Sequence, residues 1–375
     1  MTPSLGKPRL LLLVLLLLAL GVRLWGLTRQ AIWFDEAVLA SFARLSTGEW
    51  HAYLRDSVPG FFWIALLKAP LPLLLLRGWT SLFGQGEVAL RLPAVLLGVL
   101  AVVLLYGVAR RLLGERGAMW AAALLALNPF HVYVSQQLSE YGLLLCLSLG
   151  SMLLWLTRPE GGGRPWARAG LNLAALGVHP MGALVPGVQL LLGLRSPRPW
   201  RRLTLWLEAL PLALIMLYAA LLARRPGEVS LTLGWVPPLG PESLVALSRQ
   251  FLHGGMTHGH LALETPAAIQ TLVLAASLAL ALAGVVSLRS RDPATLVRLL
   301  VWALAPLVAV AAASTVSGSL WVPRYMIFTL PAWLLLMAAG LAALSAGSWP
   351  RRGVASALLA AGLGACLWLH NAPPE

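Results

Sequence analysis

Apolar runs that approach or exceed the ~18–20 residues a helix needs to cross a bilayer core recur along almost the whole of this chain. In hydrocarbon every backbone N–H and C=O must find its partner within the protein, so such runs are expected to be helices. The chain is 59% hydrophobic and 11% charged over 375 residues, with a mean hydropathy of +0.79. A soluble domain of this size does not present such a composition to water. The expected fold class is therefore an all-α polytopic integral membrane protein. Cys146 and Cys366 both lie inside apolar runs, which implies neither a disulfide framework nor a cysteine metal cluster. The first run, Leu10 to Leu20, follows Lys7 and Arg9 in the manner of a signal peptide. It continues to Leu27 without a small-x-small cleavage site and reads as a retained first helix.

The formal charge of +14 rests mainly on arginine. The arginines fall in short clusters between apolar runs, which is the pattern of cytoplasmic loops and argues against nucleic acid as a partner. These clusters are Lys7/Arg9, Arg110/Arg111/Arg116, Arg158/Arg164/Arg168, Arg195/Arg198/Arg201/Arg202, Arg289/Arg291/Arg298 and Arg351/Arg352. Placing all of them inside predicts spans near 9–27, 88–109, 117–134, 140–157, 203–223, 266–287, 295–313, 325–345 and 353–370. The run 169–194 has basic clusters on both sides and must enter and return. Pro180 breaks its middle, so it reads as two half-helices with His179 at the tip, making about 11 membrane segments in all. Such a break is tolerated where it lines a cavity or is covered by protein.

Residues 28–87 read as a first external loop of surface-lying helices anchored by Trp50, Trp63 and Trp79. The run Pro70 to Leu76 is too short to span before Arg77, Pro70 and Pro72 disfavour a regular helix start earlier, and a further crossing at 70–86 is the alternative. A second large external loop covers 224–265. The whole, 1–375, reads as a single transmembrane domain with no soluble C-terminal domain. On this topology the external face carries Asp35, Glu36, Glu49, Asp56, Lys68, His131 to Tyr141, the His179 tip and Arg324-Tyr325. Chemistry-capable groups gather on one side, and few ionisable residues occupy the bilayer middle where a transporter would place them. An outward-opening active site is the expectation.

Trp33-Phe34-Asp35-Glu36-Ala37 puts two adjacent carboxylates just after the first apolar run, in a chain with only 14 acidic residues. This stretch resembles the acidic first-loop motif of the polyprenyl-phosphate-sugar-dependent GT-C glycosyltransferases (family 39), which include the protein O-mannosyltransferases and the lipid A aminoarabinose transferases. The likeness continues through Ala69-Pro70-Leu71, Trp79-Thr80-Ser81-Leu82-Phe83-Gly84 and Glu87-Val88-Ala89-Leu90-Arg91-Leu92-Pro93. Tyr106, Arg110-Arg111-Leu112-Leu113-Gly114, Asn128 to Gln136 and Pro323-Arg324-Tyr325 follow in order. It is good over 21–157 and thin over 158–320. Two departures stand out. Lys68-Ala69-Pro70-Leu71 replaces a common His-Pro-Pro-Leu, and Ser135-Gln136-Gln137-Leu138-Ser139-Glu140-Tyr141 lacks the usual glutamate and arginine at Gln137 and Ser139.

The resemblance implies a GT-C helical bundle that moves a sugar from a polyprenyl-phosphate carrier to an acceptor hydroxyl by inverting attack. Asp35 is then the general base, and Glu36 positions the acceptor or assists with a metal. Arg324, Lys68 and Tyr325 become donor-phosphate residues, and His131, Gln136, Tyr141 and His179 substrate-binding residues. Each has a plainer reading. Glu36 can cap its helix, Arg324 can snorkel to the border, Lys68 can anchor at the interface, and the histidines and Tyr141 can simply pack. No cofactor is certain. His253, His258 and His260, with Glu264, are weak candidates for a divalent metal, and a covering loop is the other reading. The expected partners are the polyprenyl-phosphate sugar, an acceptor protein, lipid or glycan, and membrane lipids; the expected location is a bacterial inner membrane. A lipid-linked-sugar flippase or transporter, and a degenerate non-catalytic assembly protein, remain as alternatives.

Overall fold

The structure is a computed structural model that describes residues 7–29, 31–46, 48–49, 52, 70–157, 164–194, 198–223, 234–253 and 267–345. Its helices run in the order α1 (Lys7–Leu24), α2 (Phe34–Arg44), α3 (Pro70–Phe83), α4 (Glu87–Ala126), α5 (Pro129–Ser135), α6 (Tyr141–Thr157), α7 (Pro165–Val178) and α8 (Leu184–Gly193). They continue as α9 (Arg198–Ala223), α10 (Pro241–His253), α11 (Ala267–Arg291), α12 (Pro293–Ser317) and α13 (Leu330–Ser345). Four stretches, Glu87–Ala126, Gln270–Arg291, Pro293–Thr315 and Pro323–Ser345, are long and apolar enough to cross a membrane. Shorter apolar helices surround them, and the chain is a multi-pass membrane protein. The span expected at 353–370 lies outside the described residues, as do Lys68, His258 and His260.

Two sequence expectations are corrected. The helix α3 begins at Pro70 itself, with Pro70 and Pro72 in its first turn, where a missing N–H has no intrahelical partner to lose. The span expected at 117–134 stops at Ala126. Asn128 accepts the His131 N–H at 2.8 Å through its side chain, and Pro129 follows at the first position of α5, so a new helix start interrupts the old one. Arg324 and Tyr325 do not open a regular α-helix; residues Pro323–Thr329 form a 3-10 segment that runs into α13. The junction between the expected spans 88–109 and 117–134 falls at Gly114, whose φ of 73° turns the chain within α4.

The 169–194 region folds as two short helices around a break. At ~1.5 Å per residue, α7 with 14 residues and α8 with 10 each fall short of a ~30 Å bilayer core. His179 sits between them, ahead of a 3-10 turn at Pro180–Ala183. A buried polar network holds the pair in place. Asn172 of α7 donates to Gln189 of α8 at 2.8 Å and also to the Glu208 carboxylate of α9. It accepts from Ser151 of α6 at 2.6 Å, and Arg168 closes on Glu208 at 2.6 Å. Buried polar groups at membrane depth persist where they satisfy one another in this way.

The core lies where α4, α6, α11 and α13 pack, with Leu105, Leu125, Leu144, Leu149 and Leu335 almost or wholly removed from contact with surroundings. Helices in lipid approach closely where small residues line the contact. A β-carbon on Gly284 would lie 1.9 Å from the Leu336 carbonyl oxygen, and one on Gly340 would lie 2.1 Å from that of Leu280. Neither backbone can yield without separating α11 from α13. Gly340→Val is therefore expected to destabilise the protein by roughly 1–3 kcal/mol or more, the range for overpacking. Thermal unfolding of detergent-purified protein, followed by helical circular dichroism, checks this; an unchanged transition contradicts the packing described.

Candidate active site

Asp35 and Glu36 occupy the first turn of α2, where negative charge is favoured by the helix dipole. Successive helical residues point about 100° apart, and here that separation sends the two carboxylates to different environments. The Asp35 side chain is 45% exposed and meets the Nη2 of Arg324 at 3.2 Å. The Glu36 side chain is 1% exposed.

Arg324 is the hub of the site. Its Nε donates to the Tyr141 hydroxyl at 3.2 Å. Its guanidinium carbon lies 5.0 Å from the Trp33 ring centroid, 5.5 Å from that of Trp235 and 5.7 Å from that of Tyr325, within the range of cation–π attraction. The Tyr325 ring stacks on Tyr141 at 6.0 Å and lies 4.7 Å from the His179 ring. His179 accepts the Met181 N–H at Nδ1, 3.2 Å away, so its neutral form carries the proton on Nε2. Elements far apart in sequence thus converge on one cation: the 33–35 stretch, the start of α6, the break between α7 and α8, the 235 turn and the 3-10 segment.

Glu36 belongs to the wall that holds this arrangement. Arg91 of α4 grips it with two bonds, Nε to Oε1 at 3.2 Å and Nη2 to Oε2 at 3.1 Å. The remaining Arg91 nitrogen, Nη1, donates to Leu27 O at 2.7 Å and to Glu87 at 2.6 Å. Glu36 also accepts the Leu138 N–H at 2.7 Å and the Trp33 N–H at 3.3 Å. Its oxygens are thus fully engaged. Among the described residues no three His, Cys, Asp or Glu gather as a metal site would require.

Below this lies a second buried layer. Arg23, fully buried near the end of α1, donates to Ala19 O at 2.8 Å and to Ala126 O at 3.0 Å. It thereby supplies a partner for a carbonyl left open where α4 ends. Its Nη2 meets His131 Nδ1 at 2.7 Å. Gln136 donates to the carbonyls of Arg23 at 3.2 Å and Trp25 at 2.9 Å. His131 and Gln136, expected as substrate residues, are thus buried among α1, α4 and α5, whereas Tyr141, His179 and Tyr325 stand with Arg324 and Asp35.

Sequence reasoning missed Arg91, Trp33 and Tyr133 as site residues. Arg91 and Trp33 stood inside quoted motifs, but no spacing rule pairs residue 36 with residue 91. Tyr133 is buried on α5 within electrostatic reach of Arg324, Glu36 and Asp35. A cleft of about 520 Å3 opens beside Arg324, between residues 235–250 and Trp321–Arg324.

Over residues 67–222 the chain matches the family described as dolichyl-phosphate-mannose-protein mannosyltransferase. That stretch covers the Glu36 partner Arg91 but neither Asp35 nor Arg324. No curated protein matches the chain by sequence. Among solved structures it is similar to the oligosaccharyltransferase of Archaeoglobus fulgidus, with a TM-score of 0.58 and 13% identity over 97% of this chain and 55% of that one. The same archaeal enzyme, AglB, in complex with an inhibitory peptide and a dolichol-phosphate matches with a TM-score of 0.55 and 14% identity over 97% and 55% of the two chains. ArnT from Cupriavidus metallidurans bound to undecaprenyl phosphate matches with a TM-score of 0.58 and 20% identity, over 93% of this chain and 63% of that one. The chain thus spans little more than half the length of these proteins. It shares their fold, a helical membrane bundle of the GT-C type.

Removing one partner of a buried, doubly bonded ion pair strands the other charge, at a cost of about 3–5 kcal/mol. Arg91→Ala and Glu36→Ala are each expected to lower the stability of the purified protein by that order, and the double variant by much less than their sum. A double-mutant cycle of thermal stabilities measures this. Additive losses contradict the pairing.

Proposed function

We propose that the protein is a membrane glycosyltransferase that moves a sugar from a polyprenyl-phosphate carrier to an acceptor hydroxyl, with Asp35 as general base. The observation that carries this reading is the 3.2 Å contact between Asp35 and Arg324, two residues 289 positions apart. A base for the acceptor and a cation for the leaving phosphate thereby stand side by side, as the reaction needs them. The family match and the shared fold support the same reading. So does the carriage of polyprenyl phosphates by two of the similar structures, dolichol-phosphate in one and undecaprenyl phosphate in the other.

In the reaction the acceptor oxygen forms a bond to the anomeric carbon as the bond from that carbon to the phosphate oxygen breaks. The electron pair leaves with the polyprenyl phosphate, and the acceptor proton passes to an Asp35 carboxylate oxygen. Attack from the face opposite the phosphate inverts the anomeric centre. The guanidinium of Arg324 holds phosphate oxygens with paired N–H donors, and the negative charge that grows on them is stabilised there. Asp35 is half exposed, so water screens its hold on Arg324, and an arriving phosphate displaces it from the guanidinium. The carboxylate is then released to take a proton. Tyr141, Tyr325 and Trp33 hold the guanidinium in position, and His179 presents its Nε2–H beside them. Glu36 acts as a positioning residue that fixes the turn carrying Asp35. The active site opens to the outer face of a bacterial inner membrane, by the arginine clusters on the opposite side. The 28–87 and 224–265 segments are its external loops.

Asp35→Asn keeps the shape and removes the base, so sugar transfer should fall by roughly 10²–10⁴-fold, the usual contribution of general-base catalysis, while the protein still inserts and accumulates. Arg324→Lys keeps the charge and loses the paired donors, and should weaken use of the carrier more than it affects insertion. Labelled sugar transferred from a polyprenyl-phosphate donor to acceptors in membranes measures both. Near-normal transfer by Asp35→Asn overturns the assignment.

A further inference from the structure

The cleft beside Arg324 is lined by Trp235, Pro237, Glu242, Ser243, Gln250 and Trp321, none of which the transfer chemistry above uses. Its volume of about 520 Å3 falls in the range of ~300–1,000 Å3 common for small-molecule sites. Two aromatic walls are built into it. Trp321 is 7% exposed and its ring is fixed by donation of Nε1 to the Ser243 carbonyl at 2.9 Å. Trp235 turns its ring toward the Arg324 guanidinium at 5.5 Å and leaves 44% of its surface open. The turn between them is held by the Gly240 N–H, which donates to Ser243 Oγ at 3.1 Å. Glu242 is exposed in the first turn of α10, and none of the described residues forms an ion pair with its carboxylate.

We propose that this cleft binds a pyranose ring. An apolar face of C–H groups suits an indole surface, which combines an apolar body with a polar edge. The hydroxyls on the edge of the ring suit a carboxylate, which accepts two of them at once. Because Arg324 also lines the cleft, a ring held here stands next to the Asp35–Arg324 contact. The inference rests on the glycosyltransferase reading for its meaning, but not for its test. The ring belongs either to the donor sugar or to a saccharide acceptor, and the chemistry of recognition is the same for both.

Saturation-transfer NMR on the detergent-purified full chain, with methyl α-mannopyranoside, methyl α-glucopyranoside and methyl α-galactopyranoside as probes and glycerol as control, tests binding directly. At least one glycoside should bind saturably while glycerol does not. Trp235→Ala and Glu242→Gln should each weaken it by about tenfold, and Trp235→Phe should retain it. No saturable glycoside binding, binding unchanged in both variants, or preference for a short peptide over every glycoside overturns the proposal. Transfer assays in membranes then separate the sources. A rise in the donor concentration needed for half-maximal transfer in the two variants assigns the ring to the donor. An unchanged donor requirement with a lower rate at fixed acceptor assigns it to the acceptor. Glycoside binding in a protein that transfers no sugar would leave the cleft standing and overturn the glycosyltransferase reading alone.

Discussion

Glu36 and Arg91 meet with two hydrogen bonds inside the bundle, and the architecture around the candidate site is arranged on that pair. The arginine reaches on to Leu27 O, and the glutamate to the N–H groups of Leu138 and Trp33. One ion pair therefore fixes the exit of α1, the start of α2, the N-terminal end of α4 and the turn before α6. Neither charge is stable there alone, because an unpaired ion in this environment costs several kcal/mol. Asp35, one residue earlier, is turned away from that pair by helical geometry and meets Arg324 with its side chain half exposed. Two identical functional groups thus come to lie in different surroundings, one buried and doubly bonded, the other open to exchange with solvent.

The same economy runs through the interior. Where a helix breaks within the bundle, a polar side chain meets what the break exposes. Arg23 and Gln136 take up carbonyls near the ends of α4 and α1, and Asn172 ties α7 and α8 to α6 and α9. Interrupted helices are stable at membrane depth under that condition. They are also what brings His179 and Tyr325 beside Tyr141, since an unbroken helix through 165–193 would leave no backbone tip at His179.

Much of this was legible in the residues themselves. Apolar run length fixes the fold class. Pro180 reveals the break at His179 because proline removes a donor and clashes within a helix. The break after Ala126 was harder to see, since Asn128-Pro129 sits in a continuous apolar run and its capping role appears only in the fold. Arg91 was hidden for a different reason: its partner Glu36 lies 55 residues away, and sequence periodicity carries no information about contacts across a bundle. Likewise, Glu36 and Asp35 are equivalent as text and differ only once the helix has a direction and an inside.

In the proposed reaction Arg324 exchanges Asp35 for the phosphate of a lipid carrier. A structure of the full chain in lipid nanodiscs with undecaprenyl phosphate bound tests this most directly. Phosphate oxygens are expected at hydrogen-bond distance from the Arg324 guanidinium, with Asp35 released and Glu36 still held by Arg91. A phosphate bound by other cations, with the Asp35–Arg324 contact intact, would contradict it.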